Sequence, residues 1–99
     1  SINYAYVIYR RALIYDQLYY QYQRDLQSDD EHNWAYLAYR DYTTAINSHK
    51  LSQITASHAY VRKELLSEFI SKEKREEVNN NVGIEQLIKL LSEEQVEPE

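Results

Sequence analysis

A chain of 99 residues and 11.9 kDa holds one hydrophobic core at most, because a domain this small buries only about 60–70% of the surface its unfolded form exposes. The absence of Cys excludes disulfide frameworks, thiolate metal sites and cysteine nucleophiles, and one Gly and one Pro leave almost none of the turn chemistry that sheets and glycine-rich phosphate loops need. The net charge of −5 is concentrated in residues 79–99, which carry one Lys against five Glu, so a nearly neutral body offers no broad positive field to gather nucleic acid or an anionic membrane.

These facts predict an all-α fold: a small three- to four-helix bundle with a long Tyr-rich first helix and an acidic C-terminal tail. No apolar run approaches the roughly 20 residues that span a bilayer, and no basic start with an apolar core resembles a signal peptide. The chain reads as soluble and cytoplasmic.

From Ile2 to about Gln27 no Gly or Pro interrupts a helical recurrence of Tyr, Ile, Leu and Ala, which predicts one helix over 2–27. Seven of the eleven Tyr fall between Tyr4 and Tyr22. On a helical wheel this segment has two apolar faces. Tyr4, Ile8, Ala12, Tyr15, Leu18, Tyr19, Tyr22 and Leu26 centre near about 60°, and Ile2, Tyr6, Tyr9, Leu13 and Tyr20 near about 205°. A helix apolar on two sides needs two surfaces. Both can come from within the chain, or one face can meet a second copy or another protein. Tyr suits the second case, since its ring buries much area with few rotatable bonds while its hydroxyl wants water or a partner.

Ser28 with Glu31 three residues later has the capping-box pattern and predicts a second helix over 29–47, with Trp34, Ala35, Ala38, Tyr39, Tyr42, Ala45 and Ile46 as its apolar stripe. That stripe centres near about 220°, whereas Leu51, Ile54, His58, Val61, Leu65 and Phe69 cluster near about 30°. A straight continuation would turn its apolar side away from the core, so a break or sharp bend is expected at 47–50. The third helix is expected over 51–78, ended by Asn79, Asn80 and Asn81, and a short fourth over 83–91, with Ile84, Leu87, Ile88 and Leu91 on one face. Residues 1–91 form a single domain in this reading, and 92–99 a flexible acidic tail.

The chemistry of catalysis finds few residues here. His32, His49 and His58 lie 17 and 9 residues apart, so no two share a helical face at metal-ligand spacing, and His-Glu-x-x-His, nucleophile-elbow, P-loop and dinucleotide patterns are all missing. No enzymatic activity, cofactor, metal or small-molecule substrate is expected. His58, on the apolar stripe, reads as a core or edge histidine. The expected function is a non-catalytic protein–protein interaction module, acting as a homodimer, adaptor or small inhibitor, with Tyr6, Tyr9, Arg10, Leu13 and Tyr20 as the partner-binding residues. An alternative treats residues 51–69 as similar in rhythm to a helix-turn-helix, with Ala56 as its small inner residue and Arg62 and Lys63 exposed to DNA. The turn glycine expected near Tyr60 is missing, and Glu64 and Glu68 would oppose phosphate.

Overall fold

Asn3 opens the first helix. In the computed structural model, which describes residues 3–23 and 33–81, its side chain accepts from the Tyr6 amide at 3.3 Å, and α1 runs Tyr4–Leu18. The chain then widens into one π-helical turn, Tyr19–Gln23. A π turn carries an extra residue and so resets the faces that follow it. Tyr22, aligned with Ile8 on a straight wheel, is accordingly exposed, while Tyr19 is fully buried against Phe69, ring centroids 5.3 Å apart. The expected end of this helix at Gln27, and the capping pair Ser28 and Glu31, lie outside the described residues.

The next described helix, α2, is Trp34–Asn47, and its N-cap is Asn33, whose buried side chain accepts from the Ala35 amide at 2.8 Å. Its expected stripe is the one observed, with Ala35, Ala38, Tyr39, Tyr42 and Ala45 buried and Trp34 stacked on Tyr15 of α1. Asp41 and Thr43 are buried as well. Burial on so much of its circumference makes α2 the central element, with α1 and α3 packed on it. Buried alanines on all three helices (Ala5 and Ala12, Ala35, Ala38 and Ala45, Ala59) remove the bulk that would hold the axes apart, and the tyrosine rings fill the space between.

The chain turns at 48–49, within the expected break. The Ser48 hydroxyl donates to the Ala45 carbonyl at 2.6 Å and the His49 amide to Ile46 at 3.1 Å, and His49 takes the left-handed conformation, φ 59°. That geometry at a helix C-terminus ordinarily falls to Gly, because a Cβ crowds the carbonyl there. His49→Gly is therefore expected to stabilise the fold by about 0.5–1 kcal/mol, measured as a higher urea midpoint at unchanged slope.

Helix α3, Gln53–Ser67, starts at Ser52, which accepts from the Thr55 amide. It does not run to residue 78 as the sequence suggests. The backbone breaks at 68–71 and resumes as a further helix, α4, over 72–81, with Ser71 accepting from the Lys74 amide at 3.2 Å. Arg75 holds the break: its Nη1 donates to the carbonyls of Ser67 at 2.8 Å and Ile70 at 2.6 Å, supplying the donors that the end of α3 would otherwise leave unmet. The bend lets Leu66, Ile70 and Val78 all enter the core, each burial contributing roughly 1.5–3 kcal/mol. The three asparagines expected to stop a helix at 79–81 lie within α4. The helix expected over 83–91 and the tail over 92–99 lie outside the described residues.

The molecule is thus an all-α small helical bundle. Among the described residues no helix is long and apolar enough to cross a membrane.

Candidate functional site

The buried face of α1 falls between the two apolar faces read from its wheel. Ala5, Tyr9, Ala12, Asp16 and Tyr19 form it, centred near about 140°. One apolar flank therefore emerges on each side, and on one of them α1 and α3 leave an open groove with a cavity of about 430 Å³.

The floor of the groove is a buried charge network. The Asp16 carboxylate accepts two bonds from Arg62 of α3, from Nε and Nη2, both at 2.8 Å, and one from the Tyr42 hydroxyl of α2 at 2.7 Å. One carboxylate thereby joins three helices. The bond to Asp16 raises the Arg62 pKa, and burial raises that of Tyr42, helped by the carboxylate that needs its proton. Beside this network Tyr9 Oη lies 2.8 Å from His58 Nδ1. Burial pushes the Tyr9 phenol up, so it stays protonated in this pair. A second buried carboxylate, Asp41 of α2, is held by Arg11 of α1 through Nε at 2.6 Å and Nη2 at 3.0 Å, and by Arg40 at 3.3 Å. It borders a second cavity of about 450 Å³, reached by Val78 and Asn81 of α4.

Sequence reasoning missed both aspartates. The signal was there for Asp16, which sits midway between two tyrosine-bearing faces, where a solvated carboxylate has no reason to be.

The walls of the groove bring together part of the expected partner-binding set. Leu13 and Tyr20 line it with Gln17 of α1, Gln21 of the π turn and His58 of α3. Tyr20 is 50% exposed, with the Arg62 guanidinium 5.3 Å over its ring. Further along α1, Tyr6 is 45% exposed, and its hydroxyl accepts from exposed Arg10 at 3.4 Å. Leu13 is half-buried and packs on the core. Tyr9 does not belong with them. It is buried against Tyr42 and His58 with its hydroxyl engaged, so it is a core residue and not one that meets a partner. The same correction covers the premise that abundant Tyr marks an interface, since Tyr9, Tyr19, Tyr39 and Tyr42 are all buried. Among the described residues no buried side-chain nitrogen or oxygen lacks a hydrogen-bond partner.

The pair proposed to meet DNA is placed differently from expectation. Arg62 is bound to Asp16, and the Lys63 ammonium lies over the rings of Tyr39 and Tyr60 at 5.6 and 5.7 Å. Helix α3 runs without interruption through Tyr60, where a helix-turn-helix would turn. Its apolar stripe is also reversed. Ile54, Val61 and Leu65 face solvent, His58 is exposed apart from its bond to Tyr9, and Ala59 and Leu66 form the buried side.

The charged groups of the groove are engaged with one another: Asp16 accepts from three donors, Arg62 is bound to it through two of them, and the phenol nearest His58 is held protonated. Among the described residues no group of three His, Cys, Asp or Glu could hold a metal ion. His49 lies in the turn after α2, and His32 is outside the described residues. Compared with protein-family models, curated proteins and solved structures, the chain matches none.

Proposed function

We propose that this domain is a non-catalytic protein-binding module whose receptor surface is the α1–α3 groove with its aromatic rim. One observation carries the reading: Tyr20 stands half-exposed on the wall of an open groove whose floor has already satisfied its own charges, with half-exposed Tyr6 further along α1. A partner can cover the rings without stripping water from an unpaired ion, and half-exposed aromatic rings beside Arg are the kind of residues that dominate interface energy. Arg10 extends the same surface, and Leu13 gives its apolar base.

A photo-crosslinking residue placed at Gln17, on the groove wall, tests this in extract of the source cell. An adduct to a defined protein is expected, and Tyr6→Ala with Tyr20→Ala should reduce its yield about tenfold or more, with the helical ellipticity unchanged because both rings are exposed. No adduct above that of the same probe placed at Glu76, on α4, would overturn the proposal.

A further inference from the structure

The outward stripe of α3 borders the groove through His58 and has its own regularity. Ile54, His58, Val61 and Leu65 are spaced four, three and four apart, the spacing of a helix–helix seam. Ile54 is 85% exposed, Val61 55% and Leu65 49%, so among the described residues these three side chains stand largely uncovered.

We propose that the stripe is a self-association seam: two copies pair through antiparallel α3 helices, Ile54 of one opposite Leu65 of the other and His58 opposite Val61. This rests on the protein-binding reading above and names a second copy as the occupant of the surface beside the groove.

Charge selects the occupant and its direction. Helix α3 has no acidic residue in its first turn and no basic residue in its last. Instead exposed Lys50 precedes its positive end, and exposed Glu64 and Glu68 stand at its negative end, Glu64 within 4.0 Å of Lys63. Alone, the helix has a like charge near its positive end, while at its negative end the carboxylates stand beside the Arg75 guanidinium that donates to the Ser67 and Ile70 carbonyls. An antiparallel copy sets opposite charges together, because the register that pairs Ile54 with Leu65 brings the acidic end of α3 alongside the Lys50 end of the other copy. The N-terminus of each α3 then lies along the acidic C-terminus of its mate. A parallel pair would place Glu68 on Glu68 and Lys50 on Lys50. The two-fold axis makes every contact count twice, so four side chains per copy form a closed, isologous interface.

The test uses the full chain. Sedimentation equilibrium is expected to show a dimer that Val61→Glu weakens about a hundredfold or more without loss of helicity, since Val61 touches solvent in the monomer and would bring a carboxylate into the seam. Glu68→Lys should weaken it about three- to tenfold, and Lys50→Glu added to Glu68→Lys should restore it.

The lack of native Cys makes the register readable. Under oxidation, Ile54→Cys mixed with Leu65→Cys should give the crosslinked heterodimer, while neither variant alone crosslinks. A chain monomeric at several hundred micromolar overturns self-pairing, and crosslinking of Ile54→Cys to itself overturns the antiparallel register. The Gln17 crosslink separates the two readings: an adduct to a different protein with a monomeric chain keeps the groove and removes the dimer, whereas a dimeric chain without a Gln17 adduct keeps the seam and removes the groove.

Discussion

Asp16→Ala is expected to cost about 3–5 kcal/mol, a large share of the roughly 5–15 kcal/mol that a chain of this length has to lose. The reason is what stays behind. Removing the carboxylate leaves the Arg62 guanidinium half-enclosed between α1 and α3, and the Tyr42 hydroxyl fully buried, both without the acceptor they were aimed at. A buried donor that loses its acceptor suffers the full desolvation penalty, far more than the bond itself contributes net. Equilibrium urea unfolding of the wild type and Asp16→Ala at neutral pH measures the difference. A loss below about 1 kcal/mol would mean that water reaches the network and satisfies it.

The same reasoning separates the network's cost from its use. Tyr42→Phe removes a donor and leaves Asp16 with both Arg62 bonds, so the expected loss is only about 1 kcal/mol. Asp16→Leu combined with Arg62→Met and Tyr42→Phe removes charge, counter-charge and phenol together. It should recover most of the stability that Asp16→Ala loses, because an apolar replacement of a whole buried ion pair is often neutral or better. What it should not recover is the groove, whose floor is Asp16 and whose Tyr20 wall leans on Arg62. A triple variant that folds but no longer crosslinks through Gln17 would place the charges in the service of the surface.

Much of this architecture was open to sequence reasoning, and the exceptions share a cause. The stripe of α2 could be read because Ala, Tyr and Ile recur there without competitors, whereas the turn at 47–50 falls where expected although the α3 stripe that argued for it faces solvent. The core face of α1 could not be read in this way. Tyr ranks as apolar on both flanks, and what chooses among the rings is a hydroxyl partner some fifty residues away, as with Tyr9 and His58. On α3 the apolar count pointed the wrong way. Ala59 rather than Val61 meets α2, since a small side chain allows close approach to the alanines there, and Arg62 must turn inward to reach Asp16. The break at 68–71 likewise depends on Arg75 reaching back to two carbonyls, a tertiary device without local signature. Of the expected partner-binding set, Tyr6, Arg10 and Tyr20 are on the surface, and Tyr9, on the same flank as Tyr6 and Tyr20 but at its edge toward Ala5 and Asp16, is lost to the core.

Buried phenols also set how the fold fails in alkali. Tyr42 is held above its ordinary pKa chiefly by burial, then by its bond to Asp16 and that carboxylate's charge, with Arg62 opposing. Tyr9 and Tyr39 are raised in the same direction, again mainly by burial, Arg10 opposing in the first case and the Asn79 hydrogen bond in the second. Above pH about 10 the unfolded chain releases these protons while the native one keeps them, so the native state binds more protons and its stability falls as pH rises. The contribution is intact below pH 10 and is lost above it, at about 1.4 kcal/mol per pH unit for Tyr42 alone, the other two adding to the slope. By pH 12 that removes about 3 kcal/mol, and the domain is expected to unfold cooperatively between pH 10 and 12, far from the acid range where ion-paired proteins usually fail. Helical ellipticity and the last phase of phenolate absorbance should change together, and Tyr42→Phe should make the decline with pH shallower even though it lowers stability at neutral pH. Phenolate absorbance that reaches its full amplitude while the ellipticity holds would show that water enters the core around Tyr42 without unfolding it, and the buried network would then be weaker than its geometry requires.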